Sequence, residues 1–557
     1  MREQLSARWL FWIVLIGFCL FWFYGLDART LVPTDEGRYA EMAREMVASG
    51  DWITTRLNGI KYFEKPPLQV WMNALTFELF GLGEWQARLW TGLCGLFGIA
   101  AVGYTGRKVF NARVGLDAAL VLGSSVLWVA LGHINTLDMG LSAMMTVSLC
   151  ALLVAQRNDA SARERHRAML ICWAGMALAV LSKGLIGVVL PGAALVIYTV
   201  AARDWRIWLR LHLGTGLLVF FAIVTPWFVL VSIKNPEFPH FFFIHEHFQR
   251  FTSKIHHRAG PAYYFIPILL MGMVPWLGVL AQSLWQGVRK EGTGFQPKML
   301  LLIWAAFIFF FFSVSSSKLP SYILPIFPAL ALLIGCYLQQ ISRRTFMLNA
   351  GLLLLTGAVG LVLLNRLPRL SQSAFDLPLY RAYMPWIAAA AAIAVWGGII
   401  ALVLARRNMR LATVALAVAG YCAIQALMLG HDPLGRYAAG IDHVAAIRAE
   451  LTPQTVIYAV DRYEQALPFY LQRAMTLVAH TDELEFGLQQ QPALWIPTVD
   501  GFLKVWLEGH ATGNAAIAIM PPATYADLRA RGVPMRVIGQ DPRRVIVSNQ
   551  LKRLPAP

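Results

Sequence analysis

Apolar residues fill positions 9 to 26 (WLFWIVLIGFCLFWFYGL). They return in runs at 86–106, 114–132, 140–156, 168–182, 185–202, 211–233, 263–286, 298–315, 321–340, 345–365, 385–405 and 410–430. Each run reaches or nears the length a helix needs to cross the hydrocarbon layer, so the pattern predicts about thirteen membrane spans. No small-residue cleavage site follows the first run, which is expected to stay as the first helix. After residue 430 the pattern changes: TVIYAV, MTLVA, AAIAIM and RRVIVSN read as short strands, with HVAAIRAEL and TYADLRARG as helices between them. The chain is therefore predicted to be an all-α polytopic membrane domain over 1–430, followed by a soluble α/β domain over 431–557.

Composition agrees and adds orientation. With 557 residues, 57% of them hydrophobic, 14% charged, and a mean hydropathy of +0.54, a single water-soluble domain is excluded. Arg2 and Arg8, Arg107/Lys108/Arg113, Arg157/Arg163/Arg165/Arg167, Arg203/Arg206/Arg210, Arg289/Lys290, Arg343/Arg344 and Arg406/Arg407/Arg410 all fall on one side of the membrane if the N-terminus is inside. The expected topology is N-in and C-out. Much of the net charge of +17 thus belongs to topology. The cations left on the outer side, among them Arg38, Lys61, Lys65, Arg88, Lys183, Arg250 and Lys318, suit the bilayer and anionic lipid phosphates rather than nucleic acid. The six cysteines lie in or near the spans, giving neither a disulfide framework nor a zinc-finger spacing.

The first outer loop, about 27–85, opens with an adjacent acid pair, Asp35 and Glu36. Tyr39, Met42, Ala43, Met46 and Val47 then recur at helical spacing, as in a helix lying in the membrane interface. Two readings fit the acids: Thr34 and Asp35 cap that helix with Glu36 at its positive end, or the pair does chemistry. Farther along, NGIKYFEKPPLQVW sets Lys61, Glu64 and Lys65 around Tyr62 and Phe63, and Pro66 and Pro67 stiffen the chain.

Other outer loops add polar groups. GHINTLDMG places Asp138 where one span ends and the next begins; it is either an N-cap or the partner of the first-loop acids in group transfer. KNPEFPHFFFIHEHFQRF carries His245 and His247 beside Glu246, with Arg250 among phenylalanines. An arginine so placed calls for a phosphate or carboxylate. The histidines are either solvated or, with Glu64, ligands of a metal. SVSSSKLPSYILP offers Lys318 and Tyr322, the lysine being either a site residue or an interfacial snorkel.

The stretch TDEGRYAEMAREMVASGDWITTRLNGIKYFEKPPLQVW closely resembles the first-loop signature of bacterial membrane glycosyltransferases related to protein O-mannosyltransferases, above all the 4-amino-4-deoxy-L-arabinose transferases of lipid A. NTLD, HEHFQRF, SSSKLPSYILPIFPAL and the order of domains extend the likeness along the chain. The resemblance implies a GT-C fold, an undecaprenyl phosphate-linked aminoarabinose donor and a lipid A acceptor. It also implies chemistry at the periplasmic face of the bacterial inner membrane by a single chain, and resistance to polymyxin as the outcome. It makes Asp35 the principal catalytic acid and Asp138 a second one. Lys65 and Arg250 would hold the donor phosphate, and Glu36, Tyr62, Glu64, Lys318 and Tyr322 would line the substrate pocket. No cofactor is required, though Glu64 and His245 could hold a structural zinc. The alternative is transfer of another sugar from the same class of donor to a protein or glycan. A transporter is disfavoured, because no inverted repeat is visible and the polar groups sit in outer loops rather than at the midplane.

Overall fold

The computed structural model describes residues 2–249, 260–289, 294–371 and 373–551. All of the predicted apolar runs are helical, but they are not all equal. Among the described residues eight helices are long and apolar enough to cross a membrane, including Glu84–Val109, Leu137–Gln156, Leu213–Lys234 and Leu377–Ala405. A ninth stretch, expected as one span over 263–286, is instead two helices, Ala262–Gly272 and Leu277–Val288, bent by 113°. Pro275 in the break has no N–H to continue the ladder and clashes with the preceding turn. Two of the remaining runs are short or interrupted: Ile186–Ala202 has 17 residues, and Ala112–Ser124 stops at the extended Ser125 before Val126–Leu131 resumes.

Leu137–Gln156 is buried on nearly every side at the centre of the bundle, whereas Leu213–Lys234 presents most of its surface outward. Lipid is as apolar as a leucine, so close packing and internal hydrogen bonding hold such helices together. Buried tryptophans do both. Trp22 donates to the Gly92 carbonyl at 3.2 Å, Trp128 to Gly95 at 3.1 Å and Trp304 to Pro325 at 2.9 Å.

Beyond the bundle lies a six-stranded mixed sheet, in the order Trp495–Ile496, Thr476–Val478, Val456–Val460, Ala516–Met520, Arg544–Ser548, Arg536–Asp541. The first four strands run parallel and the last two pair antiparallel. The central strands are apolar at nearly every position because both faces are covered. Tyr458, Val460, Ala518 and Met520 pack on Phe502, Trp506 and Leu528. Ile457, Ala459, Ile517, Ile519 and Ile546 on the other face pack on Tyr39, Met42, Ala43 and Met46 of the first-loop helix Asp35–Ser49.

The apolar stripe of that helix is therefore buried in a core shared with the C-terminal domain, where the sequence pattern predicts a helix resting on the bilayer. The approach is close: a Cβ on Gly37 would lie 2.6 Å from the Ala466 Cα. Asn58 accepts from the Met475 N–H at 2.7 Å, and the Lys61 N–H donates to Gln491 at 2.9 Å. The first outer loop and the C-terminal domain share one core.

Candidate active site

The two acids that open the helix Asp35–Ser49 have opposite surroundings. Glu36 is 1% exposed and both its oxygens are taken. Arg88 grips it through Nε at 2.6 Å and Nη2 at 2.9 Å, the Asn135 N–H donates at 2.9 Å, and the Val32 N–H donates at 2.9 Å. Burial alone would raise its carboxyl, but the guanidiniums of Arg88 and Arg29 outweigh that and hold it at about 2. Arg88 also donates to the carbonyls of Leu26, Arg29 and Thr30 at 2.6–2.8 Å. Glu36 thus does not line the pocket. It fastens the end of the first helix to the loop that leads into Asp138.

Asp35 is spent on none of this. Thr34 makes no side-chain cap, and Asp35 forms a loose ion pair with Arg38 at 3.5 Å, with its side chain 36% exposed. Arg38 sits at the junction of three segments. Its guanidinium reaches Glu483 at 2.7 Å, Gln465 at 2.8 Å and the Tyr62 hydroxyl at 3.4 Å. Glu483 and Gln465 come from the C-terminal domain, where nothing in the sequence singles them out. Burial, reinforced by the charges of Asp35 and Glu64, pushes the Tyr39 phenol well above its ordinary range; burial and Glu64 do the same to Tyr62. Both rings stay protonated, and their hydroxyls remain able to donate.

Asp138 lies inside the helix Leu137–Gln156 rather than at its cap. It accepts from the Lys183 ammonium and, at 2.9 Å, from the Ser321 hydroxyl. Lys183 stands 4.6 Å over the Tyr322 ring and also feels the charge of Asp35. The structure thus brings Asp138 and Tyr322 together, within range of the Asp35 charge, through a lysine that looks in the sequence like a helix end.

The predicted donor-phosphate group is only partly described. Lys65 donates to the Glu64 carbonyl at 2.8 Å and lies 3.3 Å from Glu246; Arg250 lies outside the described residues. Lys318 is committed elsewhere. Its ammonium donates to the carbonyls of Ser313 at 2.7 Å, Ser315 at 3.0 Å and Phe312 at 3.3 Å, closing the end of the helix Pro297–Val314. That is a capping role, not the pocket position the sequence implies. His245 stacks on Phe241 at 5.2 Å with Nδ1 3.6 Å from Glu246. Among the described residues no group of three or more His, Cys, Asp and Glu is placed to hold a metal ion.

The opposite termini of these helices meet on the far side of the bundle. There Glu164 pairs with Arg157 at 2.7 Å and Lys108 at 3.5 Å. Acids and phosphate-class cations gather at one end, basic helix ends at the other.

Residues 64–230 match the family described as dolichyl-phosphate-mannose-protein mannosyltransferase, and residues 443–549 match the aminoarabinose transferase C-terminal domain. The chain is 30% identical over 535 residues to the undecaprenyl phosphate-α-4-amino-4-deoxy-L-arabinose arabinosyl transferase of Edwardsiella ictaluri, covering 92% of this chain and 93% of that protein. The crystal structure of ArnT from Cupriavidus metallidurans bound to undecaprenyl phosphate superposes with a TM-score of 0.91 at 43% identity, covering 97% of this chain and 98% of that one. The apo form of the same protein gives 0.92 at 41% identity, with 98% of each chain covered. The chain therefore belongs to the family of undecaprenyl phosphate-aminoarabinose arabinosyl transferases.

Proposed function

We propose that this protein moves 4-amino-4-deoxy-L-arabinose from undecaprenyl phosphate to a phosphate of lipid A at the periplasmic face of the inner membrane. The observation that carries the reading is the convergence of Asp35, the Asp138–Lys183 pair and Lys65 on one end of a bundle that matches an undecaprenyl phosphate-bound relative along nearly its whole length. The basic helix ends on the opposite side support an inside N-terminus.

The reaction is a single displacement. An acceptor phosphate oxygen forms the new bond to the anomeric carbon. The old C1–O bond breaks with its electron pair on the leaving undecaprenyl phosphate, and Lys65, with Arg250 expected beside it, stabilises the charge that develops there. A lipid A phosphate is already ionised and needs no general base. Asp35 then orients the acceptor and steadies positive charge growing on the sugar, while Glu64 and Glu483 near Tyr39 and Tyr62 make an acid-lined wall suited to the sugar's ammonium group. A cation added to lipid A lowers its negative charge, which weakens binding of polymyxin and other cationic peptides.

The test is transfer in detergent from purified undecaprenyl phosphate-aminoarabinose to lipid A, read by mass spectrometry. Wild type is expected to add one aminopentose. Asp35→Asn should lose transfer by about a thousandfold or more without loss of thermal stability. Near-normal transfer by that variant would remove Asp35 from the mechanism.

A further inference from the structure

Lys65, the ammonium assigned above to the donor phosphate, already faces an anion. Glu246 Oε2 lies 3.3 Å from its Nζ, and the Glu246 side chain is 4% exposed. This contact is built from three sides. Glu246 follows His245, whose ring stacks on Phe241, and Phe241 in turn stacks on Phe486 of the C-terminal domain at 3.9 Å and 19°. Next to Phe486, a Cβ on Gly487 would lie 2.2 Å from the Lys61 carbonyl, so the domain seats flush on the strand leading to Lys65. Lys61 closes the frame by pairing with Glu237 at 2.6 Å. A carboxylate so enclosed loses its hydration and gains from a cation close by, and Lys65, one such cation, is also the ammonium assigned to the donor phosphate.

We propose that Glu246 is a positioning residue that competes with phosphate for Lys65: it yields the ammonium to the donor and reclaims it after transfer, driving undecaprenyl phosphate out. The inference rests on the Lys65 reading under Proposed function. The donor is a phosphodiester with a single negative charge. When its C1–O bond breaks, the electron pair stays on the phosphate oxygen and the product is a monoester carrying about −1.5 to −2 at pH 7. Repulsion from a carboxylate fixed beside the same ammonium therefore acts more strongly on product than on donor. Glu246 thus biases the site toward release at the moment the sugar has left.

Undecaprenyl phosphate binding is measured by native mass spectrometry on the full chain in detergent, together with its inhibition constant as a product. In Glu246→Gln it should bind about tenfold tighter than in wild type, and the gain for the donor, read from KM, should be smaller. Glu246→Asp keeps the charge and should bind as wild type does. The inference is overturned if Glu246→Gln binds product no tighter than wild type, or if Gln and Asp variants of native stability weaken binding alike, which would mark Glu246 as a packing element. Lys65→Met separates the two readings. It should lose undecaprenyl phosphate; if it binds normally, the phosphate seat is elsewhere and the underlying assignment fails first.

Discussion

The two ends of the helix Asp35–Ser49 bury acids to a similar depth and treat them in opposite ways. In its first turn Glu36 meets two guanidiniums and is held at about 2. Farther along, Glu41 and Glu45 share one, Arg44. Glu41 takes two of its N–H groups, at 2.7 Å each, and Glu45 is left with the Gly59 N–H at 2.9 Å. The second Glu45 oxygen and the nearby Tyr463 hydroxyl have no hydrogen-bond partner among the described residues. Burial, with the charge of Glu41 added, pushes Glu45 up to about 8. Burial depth does not decide the state of an acid; the count of cations around it does. One end of the helix is locked, and the other depends on a proton.

The largest break in this comparison comes from Arg88→Met. It leaves Glu36 buried without its main cation and strips donors from three carbonyls, a loss of about 3–5 kcal/mol that thermal unfolding in detergent would read. Adding Glu36→Gln to that variant should recover part of the loss.

The second prediction sets the two ends against each other through pH. Glu45 binds its proton more tightly folded, at about 8, than at its ordinary 4.5. Its contribution is complete below pH 4.5 and fades as pH rises through about 8. Glu36 runs the other way: its contribution is present above 4.5 and lost as pH falls toward about 2. Glu45→Gln should match wild-type stability near pH 5 and exceed it by about 1–3 kcal/mol at pH 9. If the two melting profiles stay parallel from pH 5 to 9, Glu45 is not the source of the dependence. The smallest effect is expected of Ser321→Ala, which removes one partner of Asp138. It should cost about 0.5–1.5 kcal/mol and leave transfer within an order of magnitude of wild type, measured as kcat and Tm.

Much of the architecture was legible because apolar runs of spanning length have few alternatives to helix, and the strands TVIYAV and AAIAIM sit where their patterns put them. The bend at Pro275 was hidden inside a run apolar enough to read as one span. The covering of Tyr39, Met42 and Met46 was hidden too, since an apolar stripe suits a sheet as well as a bilayer. At the site, Asp35 and Glu36 look alike in the sequence. What divides them is Arg88, an arginine inside a mostly apolar helix, reaching back 52 residues. Gln465 meets Arg38 across 427 residues, a distance no local pattern crosses. Lys318 misled because a lysine that closes a helix end and a lysine that holds a substrate share one sequence context.

The shared core has a consequence for how the protein is made. The stripe from Tyr39 to Met46 is synthesised at the start of the chain, yet the isoleucines that cover it come more than four hundred residues later. At ordinary elongation rates that wait is roughly 20 to 80 s. During it the half-finished chain holds an amphipathic helix beside the bilayer without its C-terminal cover, and the membrane surface is an apolar shelter within reach. In the nascent chain the bilayer surface offers that stripe a place to rest. It becomes part of the enzyme's interior when the last strands arrive, so a ribosome that stops short of them would leave Asp35 on an unfinished scaffold.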